Sequence, residues 1–210
     1  KTETLRPDMT DHAALYRDRL TTAEKAAALI PSGAKVVMGL GVAQPPALLK
    51  ALADRAEAGE VGDINLYYLL STAIAGETVL RYELTDRIRP HSLFHGAIER
   101  KLEARAAEEG RRAVWFVPTS FQQTPRVLCD EIGVDTLVCT VSPMDEDGFF
   151  SFGTNTDYSQ PVSKTAKRVI LEVNPHMPRV FGDCTVHVSQ VTAVVEHAAP
   201  LPMIGKAEPQ

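Results

Sequence analysis

An α/β fold, a mostly parallel sheet covered by helices on both faces, is what this sequence predicts, and three observations carry the prediction. Apolar runs such as LVCTV and VILEV are near-continuous, as strands buried on both faces require. Segments of helical character separate them, so successive strands are joined by crossovers. The 210 residues are 44% hydrophobic and 23% charged, enough for one domain with a core and too apolar for a disordered chain.

Residues 11–30 read as helix, with Thr21 and Glu24 fitting a capping box that marks either an interior position or a second start. The PSG turn at 31–33 leads into a strand at 35–38, and a helix begins near Pro46 or Ala47. A strand at 64–70, a short helix at 76–82 and an extended segment at 88–94 follow. The run 97–109 is helical and stops at Gly110, which supplies a left-handed position. Next come a strand at 113–117, a helix at 124–132 stopped by Gly133, and a strand at 135–142. The segment DEDGFFSFG reads as a loop with aromatic alternation, before a helix ending near Lys167. A strand at 168–173 and short strands around TVHVS and AVVE complete the domain, residues 11–197. Residues 1–10 read as a leader or cloning remnant before a possible internal start at Met9. Residues 198–210, with three prolines, read as a linker.

The balance of 22 Lys and Arg against 27 Asp and Glu, with no basic tract, argues against a nucleic-acid surface. No apolar run reaches the roughly 18 residues of a membrane span. Cys129, Cys139 and Cys184 form no CxxC pair and read as small buried hydrophobes in a reducing compartment, which places the protein in the cytoplasm. His91 and His95 are four apart, but Pro90 breaks the helix such a metal pair needs and no third ligand is evident. No metal site is expected.

Three segments carry chemistry. In GLGVAQPPALLKAL, residues 39–52, Gly39 and Gly41 follow a strand and precede a helix whose N terminus offers N–H groups to an anion. With Gln44 and Pro45 in place, this is not a dinucleotide fingerprint, and a plain tight turn uses the same glycines. In SPMDEDGFFSFG, residues 142–153, Ser151 narrowly misses the nucleophile elbow, and the acidic triplet lacks the spaced ligands of a calcium loop. A turn closed by Gly148 fits the spacing better. In EVNPHMPRVFGD, residues 172–183, Glu172 is a carboxylate inside an apolar strand, and Asn174 stands at the carboxyl end where open α/β sheets place ligands. Fastening neighbouring loops is the equal alternative for both.

These segments, in this order, resemble the N-terminal half of the acetyl-CoA hydrolase/transferase family, which includes the 4-hydroxybutyrate CoA-transferases. The match spans about residues 20–197. VSPMDEDGFFSFGTNTDYS followed by AKRVILEVNPHMPRVFGD is its most specific part. The resemblance implies a class I CoA-transferase-like fold of two α/β halves with the active site between them. It implies a glutamate of the C-terminal half that attacks an acyl-CoA thioester, then a glutamyl-CoA intermediate from which CoA passes to a small carboxylate; water in place of that carboxylate gives hydrolysis. The coenzyme A thioester is then substrate, and no cofactor is bound covalently. That half is absent here, so no catalytic residue is assigned to this chain; Glu77, Glu172 and Glu196 lie outside the nucleophile motif. Motif position places Gly39, Gly41, Gln44 and Pro45 at the cleft, with Met144, Gly148, Phe149, Asn174 and Gly182 as weaker candidates. The partner is the C-terminal half or a second subunit, and the complete protein is expected to be a homo-oligomer. A noncatalytic CoA- or anion-binding assembly domain, or a sugar-phosphate isomerase-like enzyme, are the alternative readings.

Overall fold

The computed structural model describes residues 11–203. Residues 1–10, read above as a leader, and residues 204–210, the end of the segment 198–210 read as a linker, lie outside the described residues. Strands β1 (Lys35–Met38), β2 (Ile64–Tyr68), β3 (Ile88–Ser92), β4 (Trp115–Phe116), β5 (Thr136–Val141), β6 (Phe149–Ser151), β7 (Arg168–Val173), β8 (Thr185–His187) and β9 (Ala193–Glu196) follow one another along the chain. Seven of them form one parallel sheet in the order β4-β3-β2-β1-β5-β7-β9. The chain winds outward from β1 to β4, then returns to β5 and winds the other way. The strand order therefore reverses between β1 and β5, and it is at the carboxyl ends of strands flanking such a reversal that doubly wound sheets bind ligands.

Helices α1 (His12–Arg19), α2 (Ala23–Ala28), α3 (Pro46–Glu57), α4 (Ala73–Glu77), α5 (Ala97–Glu108), α6 (Thr124–Arg126) and α7 (Ser159–Thr165) flank the sheet. One face carries a core of Val36, Met38, Val138 and Ile170 against Leu49, Leu52 and Ala56 of α3. The other carries Val37, Leu137, Cys139 and Leu171 against Phe150, Tyr158 and Val162. Strand periodicity explains the division: alternate residues of β5 and β7 enter opposite cores. A fully buried leucine such as Leu49 contributes about 1.5–3 kcal/mol over its exposed state.

Several boundaries differ from the sequence reading. The second start within residues 11–30 is the alternative that holds, giving two helices, but the cap of the second is Thr22 rather than Thr21, its hydroxyl accepting the Lys25 N–H at 3.3 Å. The helix expected at 76–82 is instead α4, ending at Glu77, followed by a 3₁₀ turn at Tyr82–Leu84. Beyond that end the Thr78 hydroxyl donates to the Ile74 carbonyl at 2.6 Å, an alternative to continued helix. Only Trp115 and Phe116 of the strand expected at 113–117 pair. The helix at 124–132 becomes π-helical over Val127–Ile132 before Gly133 ends it at φ +65°. The aromatic alternation read as a loop is strand β6, antiparallel to β8, with Phe150 buried and Phe149 exposed. Cys129, expected to be buried, is half-buried on the π-helical turn, where it accepts from the Thr165 hydroxyl.

Candidate active-site edge of the parallel sheet

The carboxyl ends of β1, β2, β3 and β5 deliver their loops to one edge. After β1, the Gly39 N–H donates to the Val138 carbonyl at 2.9 Å, extending the β1–β5 pairing past the strand. A Cβ at Gly39 would overlap the Ala43 carbonyl, so close approach of backbone to backbone demands glycine here. Gly41 has room for a side chain, the nearest atom being Leu70 Cδ2 at 3.7 Å, but its φ is +50°. Its glycine is conformational. Residues Gly41–Ala43 make a single 3₁₀ turn before Pro45 and Pro46 start α3.

Gln44 is fully buried. Its Nε2 donates to the Leu70 carbonyl at 2.9 Å, and its Oε1 accepts from the Thr72 N–H at 3.1 Å and hydroxyl at 2.6 Å. It therefore binds the loop after β1 to the loop after β2. The next loop is joined through Glu99, a buried carboxylate in the first turn of α5, which accepts from the Ser71 hydroxyl at 2.7 Å and the Gly96 N–H at 2.8 Å. Three successive carboxyl-edge loops are thus one hydrogen-bonded unit.

The N terminus of α3 is not the open anion site that its sequence suggested. Pro45 contributes no capping side chain, and Glu172 of β7 takes that place, its Oε2 accepting the Leu48 N–H at 2.9 Å. Glu172 Oε1 has no hydrogen-bond partner among the described residues. Burial pushes the Glu172 carboxyl up to about 7, against the opposing pull of the Leu48 and Ala47 N–H groups. The neighbouring strand supplies a second contact, the Thr140 hydroxyl donating to the Gln44 carbonyl at 3.2 Å. The strand pattern signalled a special role for Glu172 but gave no partner, since Leu48 is 124 residues away.

Asn174 is buried just past β7. Its Nδ2 donates to the Ala199 carbonyl at 2.8 Å, and its Oδ1 accepts the His176 N–H at 2.9 Å. The amide holds the tail against the carboxyl edge. Pro45 is buried at the start of α3, and Met144 is half-buried in a cavity of about 300 Å³ with Ala13, Tyr16, Arg17 and Pro143. Gly148, at φ +83°, closes the turn before β6 of the separate two-stranded sheet and lies against His12 and His187. Phe149 stands edge-on to His187, with ring centroids 4.9 Å apart, and Gly182 is exposed in a turn. The structure thus gathers Gly39, Gly41, Gln44 and Pro45 into one loop and sets Asn174 further along the same edge. Ser151 is buried, and its hydroxyl oxygen accepts from the Gly153 and Val180 N–H groups. His91 packs between Tyr67 and Trp115 and bonds Asn65 Oδ1 at 2.9 Å. Among the described residues, no three His, Cys, Asp or Glu side chains gather as metal ligands. No helix among them is long and apolar enough to cross a membrane.

Comparison with known proteins agrees with this architecture. The family model described as the acetyl-CoA hydrolase/transferase N-terminal domain matches residues 5–205. The chain is 31% identical over 188 residues to succinyl-CoA:cyclohexane-1-carboxylate CoA transferase of Geobacter metallireducens, covering 89% of this chain and 40% of that protein. It is 32% identical over 200 residues to 4-hydroxybutyrate coenzyme A transferase of Clostridium kluyveri, covering 92% and 44%. The crystal structure of RipA from Yersinia pestis superposes with a TM-score of 0.94 at 49% identity, over 96% of this chain and 47% of that one. The chain spans less than half the length of each of these relatives. It belongs to the acetyl-CoA hydrolase/transferase family, whose N-terminal domain it matches.

Proposed function

We propose that this chain is the N-terminal domain of a CoA-transferase or acyl-CoA hydrolase that moves CoA between an acyl-CoA and a small carboxylate. The family match over residues 5–205 carries the reading. The clustered loops at the carboxyl edge support it, because they offer backbone and small residues to a ligand at the strand-order reversal. In this reading the nucleophile is a glutamate outside this chain. It attacks the thioester carbonyl and expels CoA thiolate to form an acyl–glutamyl anhydride. The thiolate attacks the glutamyl carbonyl, releasing the donor acid as its carboxylate and leaving glutamyl-CoA. The acceptor carboxylate takes the CoA by the same two steps in reverse, freeing the glutamate. Donors at the edge loops stabilise the developing oxyanion. No covalent cofactor takes part, and the complete enzyme works as a cytoplasmic homo-oligomer.

Residues 1–210 alone should therefore transfer no CoA from acetyl-CoA to short carboxylates, and adding the remaining half should restore transfer. Turnover by the verified 210-residue polypeptide would overturn the division of labour. Phe94, Phe116 and Phe121 are each more than half exposed, so the isolated chain should also self-associate in analytical ultracentrifugation.

A further inference from the structure

Glu172 and Thr140 are register partners on adjacent strands, and both interrupt otherwise apolar runs on the α3 face of the sheet. They grip the two ends of one short segment: Thr140 holds the Gln44 carbonyl and Glu172 holds the Leu48 N–H. Between those points lie Pro45 and Pro46, whose rings leave little backbone freedom to absorb a shift. A change in the Glu172 contact is therefore passed to Gln44, and through Gln44 to the Gly39–Ala43 turn and the Thr72 loop.

We propose that Glu172 is a positioning residue, whose gain or loss of a proton changes its grip on the first turn of α3 and so sets where the glycine loop lies. The inference rests on the reading that this loop faces acyl-CoA. An ionised carboxylate takes a charge-assisted hydrogen bond from Leu48 and favours the positive end of the helix dipole. The protonated carboxyl keeps only a neutral contact. No formal charge opposes this switch from the flanking strands, where its register partners are Thr140 and Val195. The ionisable groups near the first turn of α3 are Glu24, Lys50, Asp54 and His197, which line the surface cleft outside it. Burial lifts the carboxyl to about 7, so the change falls near neutral pH.

The test compares wild type with E172Q, E172A and T140V. Amide NMR of the chain between pH 5.5 and 8.5 should show Gly39, Gly41 and Leu48 following one shared titration that is absent from E172Q. In the complete enzyme, E172A should lose about tenfold or more in kcat/KM for acyl-CoA. E172Q, which keeps the acceptor, should stay within a few fold while losing the pH inflection assigned to Glu172. Because the folded carboxyl titrates higher than the unfolded one, wild-type stability from this group falls as pH rises from about 4.5 to 7. E172Q should accordingly gain in Tm over wild type on the alkaline side, which guards against a variant that merely misfolds. Loop amides that ignore pH, or that still titrate in E172Q, overturn the inference. A shared titration lost in E172Q, with acyl-CoA kinetics unchanged in E172A and T140V, instead overturns the reading that the loop faces substrate.

Discussion

Gln44 Oε1 accepts both the backbone N–H and the hydroxyl of Thr72, which ties the loops after two neighbouring strands through one buried amide. The Gln44 Nε2 contact to Leu70 completes the tie. Gln44→Leu keeps the volume but leaves the Leu70 carbonyl and the Thr72 N–H without this partner. Urea denaturation should show a loss of about 2–4 kcal/mol. A variant as stable as wild type would mean the amide serves a ligand rather than the fold.

Gly39 and Gly41 should separate under the same substitution. Gly39→Ala forces a Cβ onto the Ala43 carbonyl and should cost roughly 3 kcal/mol, because backbone rather than a mobile side chain must yield. Gly41→Ala meets open space and carries only the strain of positive φ, about 1–2 kcal/mol. Gly41→Val in the complete enzyme should impair acyl-CoA use beyond its effect on unfolding. Unchanged kinetics in a stable Gly41→Val protein would remove Gly41 from the site.

The Asn174 amide bonds Ala199 and His176, so both of its variants should weaken the fold. Asn174→Ala should lose about 1–3 kcal/mol. Asn174→Asp should lose more at pH 7, since a carboxylate then faces the Ala199 carbonyl, and the gap should narrow at pH 5 as it protonates. Catalytic losses in the complete enzyme should follow these stabilities. An Asp-specific activity loss beyond the stability change would instead put Asn174 against substrate.

His12 and His187 form an acid-sensitive contact between α1 and β8, Nδ1 to Nε2 at 3.2 Å. The Ser189 N–H donates to His187 Nδ1 at 3.2 Å, so neutral His187 carries its proton on Nε2 and donates to His12. Protonating His187 sets its Nδ1–H against the Ser189 N–H. Burial is the largest cause lowering the His187 pKa, with the His12 charge next, and burial lowers His91 to about 4. Both groups bind protons more readily when unfolded. Their stabilisation is therefore full above about pH 6.5 and is lost as pH falls, for His91 on the way to about 4. Thermal melts should drop by several degrees across that window, and His187→Asn together with His91→Asn should flatten the drop. An unaltered slope in the double variant would assign the acid sensitivity elsewhere.

The sheet was legible from sequence because buried parallel strands advertise themselves locally: LVCTV and VILEV became β5 and β7, and helices fell between them. Gly133 could be read as a stop because a left-handed residue is a local requirement. The family resemblance was likewise carried by long contiguous runs, and residues 5–205 match that family. Residues 142–153 were harder, since β6 exists only through pairing with β8, more than thirty residues on. The helix expected at 76–82 failed for a similar reason, its periodicity yielding to a side-chain contact at Thr78 and to packing of Gly76 against Ile98.

Sequence by itself determined the α/β class, the family and the placing of glycines and prolines after β1, all properties of neighbours along the chain. Tertiary structure alone decided what the buried polar groups do. Gln44 could be seen to break a dinucleotide pattern, but its tie to Thr72 needed β1 and β2 side by side. Glu172 stood out as a carboxylate in an apolar strand, yet the helix end that it caps comes 124 residues earlier. The physical reason is that a hydrogen bond depends on distance in space, and a parallel sheet brings together strands whose order in space is not their order in the chain.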